Sequence, residues 1–373
     1  MSRRTDGSAP LPFIPPQDAP VAAEDGEGGA GGSPQSAAGA ASPAAPSTPS
    51  LARTSSAGGG LGFTHALLTR AGQEPGARKT NQDVAFMSAA WAPAGGATLL
   101  GVLDGHGPNG HHVAAHLKER FPAALSEQSG LMRSGDAEGA LRAAFAAADA
   151  SLRRAAGIDT DFSGSTAVVG LLDAARGVFT VAWTGDSRAV VGRRGPAPGA
   201  PSASPAGRAP YHAVALTFDH KPDSPGEAAR IAAAGGRVEQ LVDERGQRVG
   251  PHRVWLRTAW TPGLAMSRAL GDGVAHTAGV SSTPDVTRHA LRDDDVMLIL
   301  ATDGVWEFIS NDEAVLMAAQ AATPAAAANA LATEAAKRWV TEEDGVCDDI
   351  TLIVLFLGDG PGAGAAAARV SAA

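Results

Sequence analysis

The chain has 373 residues, of which 44% are apolar and 5% aromatic, so a sizeable core can form, mostly from Ala, Val, Leu and Ile. Its formal net charge of -9 argues against nucleic acid or an anionic membrane as the main partner, because both are bound through clusters of Lys and Arg. The single cysteine, Cys347, excludes an internal disulfide, and no apolar run is long enough to span a bilayer. We therefore expect a soluble, monomeric protein of the cytoplasm or nucleus.

Composition divides the chain into three parts. Residues 1–60 are dominated by Ala, Gly, Pro and Ser without an apolar period, which predicts a disordered segment. Residues 61–358 alternate short apolar runs with helical patterns, which predicts a folded domain. Residues 359–373 return to low complexity and are predicted to be a disordered tail.

Within the folded part, apolar runs of strand length predict buried strands. In chain order they cover residues 98–103, 166–172, 178–183, 296–301 and 350–357. Apolar residues four apart predict helices over 113–125 and 141–152, capping boxes at Ser224 and Ser310 start two more, and an Ala-rich helix follows over 324–339. Residues 195–210 are predicted to be a surface loop. Because neighbouring runs form hairpin-like pairs, the pattern favours an α+β fold of largely antiparallel sheets covered by helices.

Acidic residues follow or precede several of these runs. Asp104-Gly105 and Asp303-Gly304 come directly after apolar runs, as does Gly185-Asp186. Asp348-Asp349 and Asp83 stand just before apolar runs. If these ends meet at one edge of a sheet, the carboxylates repel each other, and divalent cations would relieve the repulsion. Oxygen ligands favour Mg²⁺ or Mn²⁺ over zinc, although any one Asp-Gly pair taken alone is more typical of a turn.

A set of short motifs in a fixed order identifies the family that the chain resembles. The motifs are RKTNQD (78–83), DGHG (104–107), SGSTA (163–167), GDSR (185–188), DHKP (219–222), GLAMSRALGD (263–272), TDGVWE (302–307) and DDIT (348–351). The chain resembles the PPM family, the metal-dependent (type 2C) protein serine/threonine phosphatases, and most of all its plant and protist members. The resemblance covers nearly all of residues 62–357. It implies that 61–358 is the catalytic domain, built as a central sandwich of two mainly antiparallel β-sheets flanked by α-helices in four layers.

The resemblance also implies a dinuclear Mg²⁺ or Mn²⁺ centre. In the family pattern Asp104 bridges both ions, the Gly105 carbonyl binds one, Asp303 and Asp349 complete one shell, and Asp83 serves the other ion, largely through waters. A hydroxide that bridges the ions attacks the phosphorus of phosphoserine or phosphothreonine in a protein substrate, so no covalent enzyme intermediate is needed.

Further residues receive roles from the same resemblance. Arg78 would hold the phosphate through its guanidinium fork, and His106 would act as general acid toward the leaving oxygen. Asp186 and Glu307 match ligands of a third, weaker ion, although Glu307 stands where the family often has Asp. Gln82 stands where Glu is frequent, which predicts lower metal affinity at that position.

Two other interpretations stay open from the sequence. Gln82 and Glu307 are compatible with a catalytically weak pseudophosphatase that binds phosphoproteins. Asp159-Thr160-Asp161 superficially resembles the loop of an aspartyl-nucleophile enzyme, but it follows a predicted helix end rather than the strand which that chemistry requires. Residues 235–261 are predicted to form a flap that influences substrate preference.

Overall fold

The computed structural model of the chain describes residues 50–54, 61–91, 96–198 and 211–361, without the side chains of 50–54, Arg78 and Ala90. Most of the segment predicted to be disordered, most of the predicted loop 195–210 and the tail beyond residue 361 lie outside the described residues.

The strands and helices of the described part alternate in groups. In chain order the strands are β1 (Ser50–Thr54), β2 (Phe63–Arg70), β3 (Gln73–Glu74), β4 (Ala77–Arg78), β5 (Asp83–Trp91), β6 (Ala97–His106), β7 (Gly164–Ser165), β8 (Ala167–Asp173), β9 (Val178–Thr184), β10 (Arg188–Arg194), β11 (Tyr211–Ala215), β12 (Arg237–Val242), β13 (Arg248–Trp255), β14 (Pro262–Leu264), β15 (Leu270–Gly271), β16 (Asp285–Ala290), β17 (Asp295–Ala301) and β18 (Ile350–Leu357). The helices are α1 (Gly110–Glu127), α2 (Ser129–Ser134), α3 (Ala137–Leu152), α4 (Pro225–Ala233), α5 (Gly273–Thr277), α6 (Asp303–Trp306), α7 (Asn311–Ala318) and α8 (Pro324–Glu342).

Two large antiparallel sheets organise these strands. One sheet has six strands in the order β1-β2-β18-β17-β10-β11. The other has seven strands, with the order β15-β7-β6-β8-β9-β16 and β5 paired to β6. The predicted strands correspond to β6, β8, β9, β17 and β18, and the predicted α+β class with mainly antiparallel sheets is confirmed.

The alternation of side chains along each strand creates the layers. On β6, Leu99 and Leu103 pack with α1 and α3, whereas Leu100 and Val102 point to the other face and pack against the six-stranded sheet. On β18, Ile353 and Leu355 join that inner layer, while neighbouring residues of the strand pack with α7 and α8. The order of layers is helix, sheet, sheet, helix, as predicted.

The structure adds detail to three predicted boundaries: the start of the folded domain and the starts of α7 and α4. Strand β1 lies inside the segment 1–60 and pairs with β2, so the sheet begins before the predicted domain boundary at residue 61. Half of the capping box at Ser310 forms: the Ser310 hydroxyl accepts a hydrogen bond from the Glu313 N–H at 3.3 Å, while the Glu313 carboxylate binds Arg338 instead. Helix α4 also starts where predicted, but the Ser224 side chain makes no capping bond, and Pro225 occupies the first turn instead.

None of the helices in the described ranges combines the length and apolar character needed to cross a membrane.

Candidate active site

Two carboxylates come from adjacent strands of the seven-stranded sheet. Asp83 begins β5, Asp104 lies near the end of β6, and the two residues are direct partners in the antiparallel register. Opposed residues of such a pair project to the same face, so the carboxylates are neighbours. The next residue of β6 is Gly105, where a Cβ would lie 2.3 Å from the Gly110 carbonyl oxygen. Only glycine fits at this position.

Two more carboxylates come from the six-stranded sheet. Asp303 starts α6 just after β17, and Asp349 immediately precedes β18, the neighbour of β17. Thr302 joins the two sheets at this point. Its hydroxyl donates to Oδ2 of Asp83 at 2.9 Å and accepts from the N–H of Thr351 at 3.1 Å. The predicted gathering of strand-end carboxylates is therefore present at one edge of the sandwich.

These carboxylates are in an unfavourable electrostatic environment. Burial, followed by the charge of Asp349, raises the pKa of Asp83 well above its ordinary value. Burial and Asp83 do the same to the pKa of Asp104, and burial with the charge of Asp186 raises the pKa of Asp303 to about 7. The buried Oδ1 atoms of Asp83 and Asp186 have no hydrogen-bond partner. Positive charge brought into this cluster would stabilise the ionised carboxylates.

Divalent cations suit this set of donors. Carboxylate and carbonyl oxygens are the ligands that Mg²⁺ and Mn²⁺ prefer. Asp349 is already oriented, because its Oδ1 accepts from the Gly72 N–H at 2.6 Å and its Oδ2 from the Gln82 N–H at 2.8 Å, which leaves a second lone pair on each oxygen. Among the described residues, no three His, Cys, Asp or Glu side chains lie in an arrangement that could hold a metal ion as it stands. The fit to the ions therefore rests on the kind and charge of the donor atoms.

His106 is paired with a carboxylate that sequence analysis gave no role. Its Nε2 lies 2.7 Å from Oδ2 of Asp272, and its buried Nδ1 has no hydrogen-bond partner. Burial lowers the pKa of His106, but the Asp272 carboxylate, with weaker help from Asp186 and Asp303, outweighs that effect and raises it. The imidazole is therefore held in one orientation by Asp272, with Nδ1 as the nitrogen left for another partner.

The backbone around Asp272 is shaped to present this carboxylate. Asp272 has a φ of 50°, in the left-handed region. A Cβ at Gly164 would lie 2.1 Å from Oδ2 of Asp272, so the glycine in the SGSTA motif makes room for it. One signal was visible in the sequence, because Gly271-Asp272 repeats the Gly-Asp pair of the GDSR motif.

The two residues predicted for a third ion are placed differently. Asp186 is buried after β9, and its Oδ2 lies 2.5 Å from Nζ of Lys221. Burial lowers the pKa of Lys221, but Asp186 and its neighbours outweigh burial and raise it, so the ammonium stays charged. Glu307 follows α6 and is exposed, and its N–H donates to the Asp303 carbonyl oxygen at 2.8 Å. Asp186 thus belongs to the electrostatic cluster, while Glu307 stands at its solvent side.

Two residues of the RKTNQD motif flank the site. Arg78 ends β4, and its side chain lies outside the described residues, so its predicted phosphate contact stays a prediction. Gln82 donates through Nε2 to the Gly107 carbonyl oxygen at 2.8 Å. A glutamate could not make this bond, because a carboxylate has no proton to donate. The departure from the family pattern thus has a structural use, since it ties the motif to the turn after His106.

Neighbouring polar residues hold the Gly185-Asp186 turn in place. Arg188 binds both carboxylate oxygens of Asp219, at 2.6 and 2.8 Å. His220 accepts at Nδ1 from the Gly185 N–H at 3.1 Å, and its Nε2 lies 3.2 Å from Asp285. Arg188 and His220 thus have a structural role, which is to hold the loops on either side of this turn.

The remaining candidates lie away from the carboxylates. Asp159 is exposed on the loop after α3, where its Oδ1 accepts from the Asp161 N–H at 3.0 Å. No strand precedes it, which removes the structural context that an aspartyl nucleophile needs. The predicted flap, residues 235–261, supplies β12 and β13 of a separate three-stranded sheet that β14 completes, and its influence on substrates stays a prediction.

Comparison with known proteins identifies the class. The family model described as Protein phosphatase 2C matches residues 70–344. The chain is 37% identical over 304 residues to probable protein phosphatase 2C 48 of Oryza sativa subsp. japonica, covering 77% of this chain and 82% of that protein. It is 34% identical over 303 residues to probable protein phosphatase 2C 73 of Arabidopsis thaliana, covering 76% and 77%. The chain is therefore a protein phosphatase of the serine/threonine class.

Solved structures agree on the fold. The serine-threonine phosphatase 2C from Toxoplasma gondii superimposes with a TM-score of 0.64 at 24% identity, over 83% of this chain and 99% of that one. The chain belongs to the protein phosphatase 2C family, and the resemblance carried by the ordered motifs is confirmed.

Proposed function

We propose that this phosphatase hydrolyses phosphoserine and phosphothreonine in proteins with the help of two Mg²⁺ or Mn²⁺ ions. One observation carries the proposal: carboxylates from both sheets converge around Thr302, where burial and mutual repulsion raise the pKa of Asp83, Asp104 and Asp303. Family membership supports the reaction class. The oxygen donors support the kind of ion.

The residues that would hold the ions follow from this cluster. Asp83, Asp104, Asp303 and Asp349, with the Gly105 carbonyl, would hold two of them. Bound there, the ions would supply positive charge and Lewis acidity for the attack of water on phosphorus.

A third ion would bind more weakly. Asp186 and Glu307 would be its ligands, and it would compete with Lys221 for Asp186, since the ammonium already occupies Oδ2 of that carboxylate. Glu307 is exposed, which also favours weak binding.

The protein's own groups would bind the substrate and move the proton. Arg78 would hold the phosphate through two parallel N–H groups. Asp272 holds Nε2 of His106 and stabilises its protonated form, so the proton for the leaving seryl or threonyl oxygen would come from Nδ1. The Asp272 carboxylate fixes the orientation of the His106 ring and therefore the position of Nδ1.

The test is phosphate release from a phosphothreonine peptide in EDTA, Mg²⁺ or Mn²⁺. We expect turnover only with metal, and a loss of about a thousandfold in Asp303→Asn, because that variant removes one charged ligand of the cluster. Asp293→Asn is the matched control, since Asp293 is exposed on the turn before β17. Equal loss in both variants would contradict the assignment.

The pseudophosphatase remains the second candidate, because Gln82 departs from the family pattern. It predicts that folded protein binds the phosphopeptide in excess Mn²⁺ without releasing phosphate. That outcome would replace the enzyme by a phosphoprotein-binding module, and Gln82→Glu would then be the variant in which to look for restored turnover.

A further inference from the structure

The loop before β7 presents an apolar side chain that the phosphatase chemistry does not use. We call residues 158–163 the Phe162 loop. Phe162 is 51% exposed, and the acidic side chains of Asp159 and Asp161 beside it are exposed as well. A single exposed phenylalanine is ordinary on a protein surface. Phe162 differs from an ordinary exposed phenylalanine in its position and in the two acidic residues, Asp159 and Asp161, that precede it.

The Phe162 loop is hydrogen-bonded to Asp272, the partner of His106, and to Asn109, three residues after His106. The N–H of Asp272 donates to the Ser163 carbonyl oxygen at 2.9 Å, and the N–H of Gly273 donates to the Thr160 carbonyl oxygen at the same distance. On the other side, the N–H of Asn109 donates to the Ser163 hydroxyl at 2.9 Å.

The fit against the turn after His106 is close. A Cβ at Gly107 would lie 2.0 Å from the Phe162 carbonyl oxygen, so the backbones of these two residues touch. The loop is thus built into the rim of the candidate active site, and its position is determined by the same residues that orient the general acid.

A substrate whose leaving oxygen reaches His106 must bring its own neighbouring residues to this rim, because consecutive Cα atoms are only about 3.8 Å apart. We propose that the Phe162 loop selects those neighbours: Phe162 packs on an apolar side chain of the substrate, and Asp159 and Asp161 attract a Lys or Arg beside it. The preferred substrates are then phosphoproteins with apolar and basic residues next to the phosphorylated Ser or Thr. This inference rests on the proposed function.

The test compares two phosphothreonine peptides that differ only in the residues flanking the phosphothreonine, Leu and Arg in one and Ser and Glu in the other. The quantity is the ratio of their kcat/KM values with Mn²⁺. We expect the wild-type enzyme to favour the Leu/Arg peptide by about twentyfold, and Phe162→Ala to lower that ratio about fivefold, because the apolar contact is lost. Phe162→Leu should keep most of the preference.

A change of salt concentration separates the contribution of the acidic side chains from that of Phe162. Asp161→Asn should lower the ratio about threefold at low ionic strength and have no effect at about 0.5 M NaCl, where exposed charges are screened. The Phe162→Ala effect should persist in salt. Leu316→Ala is the matched control, since Leu316 is 45% exposed on α7, and it should keep the wild-type ratio.

The outcomes distinguish the inference from the function on which it rests. If wild-type protein releases phosphate from neither peptide, the proposed function fails. If it hydrolyses both at rates within about twofold, or if a folded Phe162→Ala keeps the wild-type ratio, the enzyme stands and the substrate preference assigned to the loop is wrong.

Discussion

Strand β17 has an aspartate at each end, and the two are in opposite electrostatic states. At its start, burial would raise the pKa of Asp295, but Arg193 Nε at 2.6 Å and His289 Nε2 at 2.8 Å outweigh burial and lower the pKa to about 2. Just past its end, burial and the charge of Asp186 raise the pKa of Asp303 to about 7. Because both residues belong to the same strand or directly follow it, the difference in pKa comes from the side chains around each carboxylate.

The comparison separates two uses of a buried carboxylate. Asp295 is surrounded by donors and cations, so its charge is balanced inside the fold. Asp303 lies among further carboxylates, and Lys221 as a nearby cation does not offset burial and their repulsion, so its pKa is raised. Under the proposed function, metal ions would supply the missing positive charge. Glu227 belongs with Asp295, because Arg268, Arg230 and Ser267 all donate to its carboxylate.

The largest effect is expected from a substitution in the carboxylate cluster around Asp303, whose negative charges are not balanced inside the fold. Asp104→Asn should lower kcat by about a thousandfold in Mn²⁺, because a charged ligand shared by the cluster is lost. In EDTA the same variant should melt a few degrees higher than wild type, because like-charge repulsion is relieved. Activity and thermal melting of one preparation check both. If Asp104→Asn melted at a lower temperature than the wild type in EDTA, repulsion between these carboxylates would not destabilise the metal-free protein.

A smaller effect is expected from the balanced carboxylate of α4. Glu227→Ala should lower the free energy of unfolding by about 3 kcal/mol, because Arg268 and Arg230 lose their shared partner in a largely buried position. Urea unfolding with and without EDTA provides the measurement, and the loss should be the same in both. A loss that appears only with metal would place Glu227 with the ion-binding residues instead.

The smallest effect is a pH dependence at the start of β17. The pKa of Asp295 is about 2 in the folded protein and about 3.9 in an unfolded chain, so its contribution is complete above about pH 5. It disappears as the pH falls through 2. Asp295→Asn should therefore cost about 2 kcal/mol at pH 6 and progressively less at pH 4 and pH 3. A difference in unfolding free energy that is constant with pH would contradict the balanced state of this carboxylate.

The sequence predicted the interior strands well, because each is a nearly continuous apolar run. β6, β17 and β18 are almost entirely buried, and their bounds lie close to the predicted ones. Strands such as β2, whose residues alternate irregularly between buried and half-buried, gave no such run and were not predicted. The convergence of Asp104 and Asp303 was also foreseen, since both come directly after apolar runs.

The pairing of side chains across the fold was not predictable in this way. His106 and Asp272 are 166 residues apart, and nothing in their spacing indicates that β15 brings Asp272 beside the end of β6. The use of Gln82 as a donor to Gly107 was equally hidden, because it depends on where a turn passes rather than on residue type. The apolar pattern of the sequence predicts which face of a strand is buried. Which loops lie next to each other depends on tertiary packing, and the pattern does not predict it.

The position of β18 has a consequence for how the protein is made. This strand is the last to be synthesised among those described, yet it lies in the interior of its sheet between β2 and β17. Until residue 357 has left the ribosome, β2 and β17 have no partner between them, and Asp349 is not in place. A nascent chain thus carries almost the whole domain before Asp349 joins the other carboxylates, so the proposed function predicts that dephosphorylation begins only once translation has passed the final strand.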